Sequence, residues 1–180
     1  MLSYPGRTIQ GMANLPLVQY AGSRSAIDIP SYLSGFFDGE GCFSVSIPRR
    51  PKIRVGWEVR PSVSVSQNEE RSEVIQLAKS YFACGTIRRD YGDRTVKWEV
   101  RSLELLRCHV LPHFRTWPML SAKQLDYEAI ANVCGRMAEG GHLHREGLMS
   151  IVQIVSTMNP SGKRRFDPGM ILNELGEMKA

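Results

Sequence analysis

The sequence lacks the features of a membrane-spanning protein, a disulfide-rich protein or a protein with a structural zinc site. None of its apolar runs approaches the roughly 18 consecutive residues that a bilayer-spanning helix needs. Its four cysteines lie far apart and form no C-x-x-C pair, which disfavours both a disulfide framework and a zinc knuckle. We therefore expect an intracellular protein whose thiols are reduced and mostly buried.

The first 27 residues contain no acidic side chain, and their only basic residues are Arg7 and Arg24. They show neither the dense arginine series and amphipathic period of an organellar targeting segment nor the apolar stretch of a secretory signal. We expect a flexible N-terminal arm over residues 1–27, a folded core over residues 28–135, and a helical extension with a basic loop over residues 136–180. The compartment stays open between the bacterial cytoplasm and an organelle, either mitochondrion or chloroplast.

The charge balance permits a polyanionic partner. The 180 residues include 42% hydrophobic and 23% charged side chains, which is ordinary for a globular domain of this length. The formal net charge is +5. A positive balance of this size is compatible with nucleic-acid binding but is also found in proteins that bind none.

Helical and strand periods alternate along the core. Asp28 and Pro30 are typical of a helix start. Apolar and polar residues then alternate from Phe43 to Val65, which predicts a hairpin with its turn at residues 49–52. Helical spacing returns near residues 74–82, a second hairpin is predicted around "YGD", and helices are predicted near residues 102–111 and 121–135, with Pro112 and Pro118 as breaks.

This order of elements predicts an α+β fold in which two antiparallel hairpins form one curved sheet packed beneath the helices. The polar positions of the strands would then share the exposed face of the sheet. Small hydroxyls and long basic side chains alternate over both hairpins, as a ribbon that reads base edges in a major groove requires. A face that only meets solvent is the alternative interpretation.

The stretch "LSGFFDGEG" combines glycines and carboxylates where a helix should end. Ser31, Gly35 and Gly39 recur at i, i+4 and i+8 and form a stripe of small residues, on which a second helix backbone can pack closely. Since the chain offers one such helix, we expect the partner helix to come from a second copy. Asp38 and Glu40 of both copies would then converge, and divalent cations would relieve their repulsion.

Three segments together resemble one known family. "YLSGFFDGEGCFSV" resembles the signature of the LAGLIDADG homing endonucleases, with Ser34 in the place of alanine and phenylalanine at positions 36 and 37. "PSVSVSQNEERSEVIQLAKSYFACGTIRRD" resembles the family's following strand, helix and hairpin, and "HVLPHFRTWPMLSAKQLDYEAI" resembles the segment that carries its basic residue. The resemblance covers residues 31–135 in the right order, so the chain is identified as a single-motif member.

The resemblance implies a fold and an activity. The fold is αββαββα, with a curved antiparallel sheet that forms a DNA-binding saddle and helices on its other face. The activity is a staggered double-strand break in a long pseudo-palindromic DNA target, made by a homodimer through metal-dependent phosphodiester hydrolysis. The implied cofactor is Mg²⁺, and Mn²⁺ or Ca²⁺ can replace it for binding.

The resemblance also assigns site residues. Glu40 matches the metal-binding acid, and Asp38 matches the first acid of the motif. Gln67 and Lys123 match the polar residues that organise water around the scissile phosphate, and Arg71 falls where a supporting basic residue lies. The dimer interface is expected at Ser31, Gly35, Phe36 and Gly39.

The expected DNA contacts are of two kinds. Basic residues in the loop-like "SGKRR" should meet phosphates, whereas Arg60 and Arg88, which alternate with strand hydroxyls, should meet base edges. The full set is Ser44, Ser46, Arg50, Arg54, Glu58, Arg60, Ser62, Ser64, Thr86, Arg88, Lys97, Glu99, Lys163, Arg164 and Arg165.

Two other functions share this fold. One is an intron maturase, an RNA-splicing helper for which the chain's own intron RNA would be a partner. The other is a DNA-binding regulator that does not cut, which usually carries an added helix-turn-helix. The presence of Glu40, Gln67 and Lys123 favours the nuclease, and the residues after Gly135 show no persuasive helix-turn-helix pattern.

Overall fold

A computed structural model describes residues 27–160 and 166–177 of the protein. The arm predicted at the N-terminus, up to residue 26, lies outside these described residues, as do Lys163, Arg164 and Arg165. Across the part of the chain that is described, no helix is both long and apolar enough to cross a membrane.

The first helix begins where the sequence predicts. Helix α1 spans Ile29–Glu40, with Asp28 at its N-cap and a proline in its first turn. Its inner face buries Leu33, Ser34 and Phe37, while its outer face stays exposed. The helix therefore presents one face to the core and leaves the small-residue stripe outside.

Four strands form one open antiparallel sheet in the order β1-β2-β4-β3. Their apolar side chains point to the helices and their polar side chains to the other face, which confirms the predicted α+β architecture. The strands are β1 (Gly41–Ser46), β2 (Arg60–Asn68), β3 (Thr86–Asp90) and β4 (Thr95–Val100).

The remaining helices cover the apolar face of the sheet and one of its edges. Helix α5 packs on β1 and β2, α6 packs on α5, and α7 packs on α6, so a single hydrophobic core runs through the described chain. The helices are α2 (Glu73–Phe82), α3 (Leu103–Leu105), α4 (Leu111–Thr116), α5 (Lys123–Ala138), α6 (Arg145–Ser156) and α7 (Pro168–Glu177).

The first hairpin is less regular than the alternation predicts. Residues 47–59 form a connection that contains an isolated bridge between Arg49 and Trp57, and no strand forms over residues 53–59. Trp57 is nonetheless buried and meets the ring of Phe166 edge-on at 5.1 Å. The alternation in this segment therefore reflects burial against the C-terminal part of the chain, and its interpretation as a strand was wrong.

The expected break at Pro112 is also absent. A π-helical segment, Leu106–Val110, joins α3 to α4, and the backbone N–H of Leu111 bonds to the carbonyl of Leu106 five residues earlier. This wider turn accommodates a proline that cannot donate a backbone hydrogen bond. The helical stretch therefore continues to Thr116.

Aromatic rings fill the space between α1 and the sheet. Phe37 is fully buried, and its ring lies 5.2 Å from Phe114 and 5.8 Å from Trp98. Trp98 packs against Gly85. The φ of Gly85 is +86°, and a Cβ there would lie only 2.4 Å from Trp98 Nε1, so no other residue fits. Of the four cysteines, Cys84 and Cys134 are buried whereas Cys42 and Cys108 are exposed, so the expectation of mostly buried thiols holds for half of them.

Candidate functional site

The C-terminal end of α1 is fixed to the start of α5 by Asp38. Its carboxylate accepts hydrogen bonds from the backbone N–H of Leu120 at 3.2 Å and of Ser121 at 3.1 Å, and also from the Ser121 hydroxyl. The Ser121 hydroxyl is the main reason why the pKa of Asp38 lies below its ordinary value, with the nearby Lys123 adding to the effect. Asp38 is therefore a charged clamp between the two helices.

Lys123 is the first residue of α5 and reaches back across this junction. Its Nζ donates a hydrogen bond to the backbone carbonyl of Gly39 at 3.0 Å. A carbonyl at this position is one of the unpaired acceptors that end a helix, and it suits a cation. The predicted basic residue and the predicted acid Glu40 therefore lie at the same helix end, although 82 residues separate them in sequence.

Gln67 and Arg71 lie at the end of the sheet nearest to this helix terminus. Gly41, which follows Glu40, pairs with Val65, and Gln67 extends two residues beyond that pair along β2. Arg71 ends the short 3-10 turn that follows β2 and is exposed. The structure therefore brings Gln67 to the Glu40 end of the site and places Arg71 on a neighbouring turn.

The oxygen donors at this site suit a hard divalent ion only in part. Glu40 is exposed, and the Gly39 carbonyl lies beside it, but both carboxylate oxygens of Asp38 already accept hydrogen bonds. Among the described residues of one chain, no group of three or more His, Cys, Asp or Glu side chains is arranged to hold a metal. One chain therefore offers an incomplete ligand set, which a second copy would double.

The small-residue stripe of α1 faces outward. Ser31, Gly35 and Gly39 are exposed, and a Cβ built on either glycine meets no atom within 4 Å. Phe36, which we also assigned to an interface, is half-buried and packs partly against the core. The stripe is therefore open to a second backbone.

The polar face of the sheet is arranged in cross-strand rows. Ser46 pairs with Arg60, Ser44 with Ser62, and their two hydroxyls lie 3.2 Å apart. A second row joins Lys97 to Arg88. The structure therefore brings these predicted contact residues together on one surface, in register across the strands.

The connection formed by residues 47–59 adds further cations to this surface. Arg50 and Arg60 donate hydrogen bonds to the carboxylate of Glu58 at 2.6 and 2.8 Å, and the bond from Arg60 does most to lower the pKa of Glu58 to about 2. Arg54 is exposed at the tip. Arg54 and Glu58 therefore belong to a loop and not to the strand that the alternation predicted, whereas Arg50 lies in a loop as the predicted turn implies.

Two predicted contact residues lie on the polar face without being exposed. Ser64 is 3% exposed because it lies in the middle of the sheet, between its neighbours on β1 and β4. Glu99 is 8% exposed because basic side chains surround it. The expectation that both side chains are exposed was wrong, and their contact with DNA stays a prediction.

Sequence reasoning missed two residues of this region. Ser121 bonds to Asp38, and Arg101 forms an ion pair with Glu99 at 3.0 Å. Arg101 continues the alternation of Lys97 and Glu99, so the period of two could have found it. Ser121 gave no such signal, because its partner is distant in the sequence.

Comparisons with known proteins agree with this geometry. Residues 33–134 match the family described as LAGLIDADG endonuclease. A Neurospora crassa protein named "Probable intron-encoded endonuclease 2" is 29% identical over 131 residues, which are 72% of this chain and 29% of that protein. The chain thus spans less than a third of the length of this relative.

Solved structures show the same fold. The homing endonuclease I-TnaI is 28% identical and superposes with a TM-score of 0.73 over 81% of this chain and 97% of its own. I-SmaMI bound to uncleaved DNA in the presence of calcium ions is 26% identical, with a TM-score of 0.73 over 82% of this chain and 49% of its own.

Proposed function

Because the chain belongs to the LAGLIDADG endonuclease family, we propose that it is a site-specific homing endonuclease that cuts double-stranded DNA as a homodimer. The single observation that carries this proposal is the meeting of Lys123 with the Gly39 carbonyl, beside Glu40, at the end of a helix whose outer face is open. An exposed acid, a cation and an open helix face that we assign to a second copy thereby lie at one place.

Glu40 of each of two copies would hold the metal, together with the Gly39 carbonyl, which has a second lone pair beside the one that accepts from Lys123. The ion that we propose is Mg²⁺, which when bound would polarise the phosphate as a Lewis acid and would make a water molecule more acidic. Lys123 places a positive charge where negative charge develops on the phosphate, and Gln67 orients water at the same end of the sheet. Arg71 supports the phosphate from the neighbouring turn.

Asp38 has a different task in this proposal. The sequence predicts Asp38 as a metal ligand beside Glu40, but both of its oxygens accept hydrogen bonds from residues 120 and 121. We assign it the positioning of the segment that leads into Lys123. A carboxylate that is already bonded in this way has fewer lone pairs left for a cation.

DNA recognition is assigned to the polar face of the sheet. Arg60, Arg88 and Lys97 stand among small hydroxyl residues in cross-strand rows, which suits a ribbon that enters a major groove. We assign the region after Asn159, which includes Lys163, Arg164 and Arg165, to phosphate contact. Residues 28–135 form the endonuclease core in this proposal, and residues 136–180 extend it.

The side chain of Asn159 ties the extension to the edge of the sheet. Asn159 donates a hydrogen bond from its amide to the carbonyl of Phe43 at 2.8 Å, and its backbone N–H bonds to Asp126. These contacts hold Asn159 beside β1, and the "KRR" segment begins four residues later in the sequence. We propose an origin in an intron, as the name of the Neurospora crassa relative states for that protein.

Cleavage selection tests the proposed function. The protein would be incubated with a randomised duplex library and Mg²⁺, and cut molecules would be sequenced, with Glu40→Gln as the inactive variant. We expect the native chain to recover one long pseudo-palindromic sequence with a staggered cut. Glu40→Gln should bind the recovered duplex with similar affinity and leave it intact, because the substitution removes a metal ligand and preserves the fold.

Two results would contradict the proposal. One is cutting by Glu40→Gln at the native rate, which would mean that another residue holds the metal. The other is selective binding of RNA transcribed from the host intron without any DNA cleavage, which would favour the maturase. A matched control is Glu139→Gln, which removes one exposed carboxylate at the far end of α5 and should cut normally.

A further inference from the structure

One carboxylate on the polar face of the sheet is surrounded by three cations. Glu99 lies on β4, and its oxygens are 3.0 Å from Arg101 Nε, 3.4 Å from Lys97 Nζ and 3.6 Å from Arg88 Nη2. Its side chain is 9% exposed, whereas those of the two arginines are more than half exposed. The acid is therefore a buried centre beneath an exposed basic layer.

The backbone register explains this arrangement. Lys97, Glu99 and Arg101 follow one another at every second position, so their side chains share one face of the chain. Arg88 pairs with Lys97 across the β3–β4 ladder and lies diagonally opposite Glu99. Diagonal neighbours lie within reach of long side chains. One carboxylate therefore contacts cations along its own strand and from the adjacent strand.

The charges of this group do not cancel. Three cations and one anion leave two positive charges, which keeps the surface attractive to DNA. Without the carboxylate, the three cations would repel one another at short range and extend toward solvent or phosphates. With it, each cation is held near one orientation, which a bidentate contact to a base edge requires.

We propose that Glu99 is a positioning residue for base recognition, which holds Arg88, Lys97 and Arg101 in the orientation that reads the target and does not itself contact a base. This inference rests on the proposed function, since it assumes that the polar face reads DNA. In place of the direct DNA contact that the sequence predicts, Glu99 then acts through its three basic neighbours.

The test compares Glu99→Gln with the native chain on the duplex recovered by cleavage selection, and on a set of duplexes with single base-pair changes. Glutamine keeps the shape and removes the charge. We expect the native preference to fall about 10-fold or more at the base pairs that the cluster reads. Affinity for random-sequence duplex should rise, and log K should fall more steeply with log salt, by about 0.9 for each phosphate newly contacted.

Glu139→Gln is the matched control, because it changes the net charge equally on the helical side of the molecule. It should leave base preference and salt slope unchanged. Glu99→Asp keeps the charge on a shorter side chain and should lose part of the preference. Urea unfolding of each variant separates a folding defect from a recognition defect, and Glu99→Asp carries the test if Glu99→Gln fails to fold.

A double-mutant cycle with Arg88→Ala separates positioning from direct contact. If Glu99 acts through Arg88, both single variants lose preference at the same base pairs and the double variant loses little more. Additive losses at different base pairs, or an unchanged preference in Glu99→Gln, would overturn the inference. A native chain that selects no DNA sequence would instead refute the proposed function, so the two failures are distinguishable.

Discussion

Nε2 of His113 lies 3.0 Å from the hydroxyl oxygen of Ser34, the residue that replaces alanine in the family signature. The Ser34 hydroxyl donates its single hydrogen to the carbonyl of Trp117 at 2.7 Å, so it accepts the hydrogen of His113 Nε2. The other ring nitrogen, Nδ1, then accepts from the hydroxyl of Tyr81 at 3.0 Å. A neutral histidine therefore links α1, α2 and α4 inside the core.

Replacing Ser34 by the alanine of the family signature should lower the free energy of unfolding. Ser34→Ala leaves the Nε2 hydrogen of a buried imidazole without an acceptor, which costs about 1–3 kcal/mol of unfolding free energy. Urea unfolding measures this loss. Ser80→Ala, at an exposed position within α2, is the control and should change the unfolding free energy by less than about 0.5 kcal/mol. Equal effects of the two substitutions would mean that the buried hydrogen bond contributes nothing.

His113 should also make stability depend on pH. Burial lowers its pKa from 6.5 to about 4. Below pH 6.5 the imidazole binds a proton in the unfolded chain but stays neutral in the folded chain. The contribution of His113 to the free energy of unfolding is therefore fully present above pH 6.5 and is lost as the pH falls toward 4. The loss over this window amounts to about 3 kcal/mol.

The measurement is urea unfolding across that window for the native chain and for His113→Gln, which cannot titrate. Burial lowers the pKa of His142 as well, so the native chain retains some of the same trend from that residue. The difference between the two proteins isolates His113. We expect the native curve to fall more steeply, and parallel curves would contradict the assignment of a neutral buried ring.

The sequence predicted the fold well where periodicity coincides with regular structure. Helix α1, helix α2 and the second hairpin follow from their spacing and their turn residues. It failed at residues 53–59, because burial against the C-terminal part of the chain produced an alternation like that of a strand. It failed at Pro112, because the π-turn that accommodates a proline leaves no mark on the pattern.

The site was predictable in its residue types and less so in its partners. The glycines and acids at the end of α1 indicated an interface and a cation site from local spacing alone. Lys123 was found only through the family resemblance, since no local pattern relates it to Gly39. Alternation along β4 places Lys97 and Arg101 beside Glu99, but the contact from Arg88 depends on which strands are neighbours, so the alternation alone could not show that the acid is buried.

Asp38 and Lys123 should act as one unit in cleavage. Lys123→Met should slow cleavage about 100-fold or more while sparing affinity, because it removes a charge needed near the scissile phosphate. Asp38→Asn weakens the clamp on residues 120 and 121 and should slow cleavage less. Single-turnover rates on the selected duplex measure both effects, and the double variant should be little slower than Lys123→Met alone.

A titration with Mg²⁺ distinguishes the two roles considered for Asp38. If Asp38 positions Lys123, Asp38→Asn should reach its reduced maximal rate at the same Mg²⁺ concentration as the native chain. A large increase in the Mg²⁺ needed, with the maximal rate restored at saturation, would show that Asp38 is a metal ligand after all.

The outward face of α1 should decide assembly without affecting the monomer. A Cβ at Gly35 meets no atom within 4 Å, so Gly35→Leu fits the isolated fold and should gain about 0.5–1 kcal/mol of helix propensity. The same side chain would separate two α1 helices packed on their glycine stripes. We therefore expect a variant that is folded and monomeric, and that binds and cuts the selected duplex at least about 10-fold less well than the native dimer.

Sedimentation and urea unfolding measure these two properties separately. Gly135→Leu is the matched control, since Gly135 lies within α5 and a Cβ there also meets no atom within 4 Å. It should gain similar helix propensity and remain dimeric and active. A native chain that sediments as an active monomer, or a Gly35→Leu protein that dimerises as the native chain does, would show that the stripe on α1 is not the interface. If the native chain is an active monomer, the ligand set at Glu40 would have to be completed from within one chain, where the described residues supply no group of three such ligands.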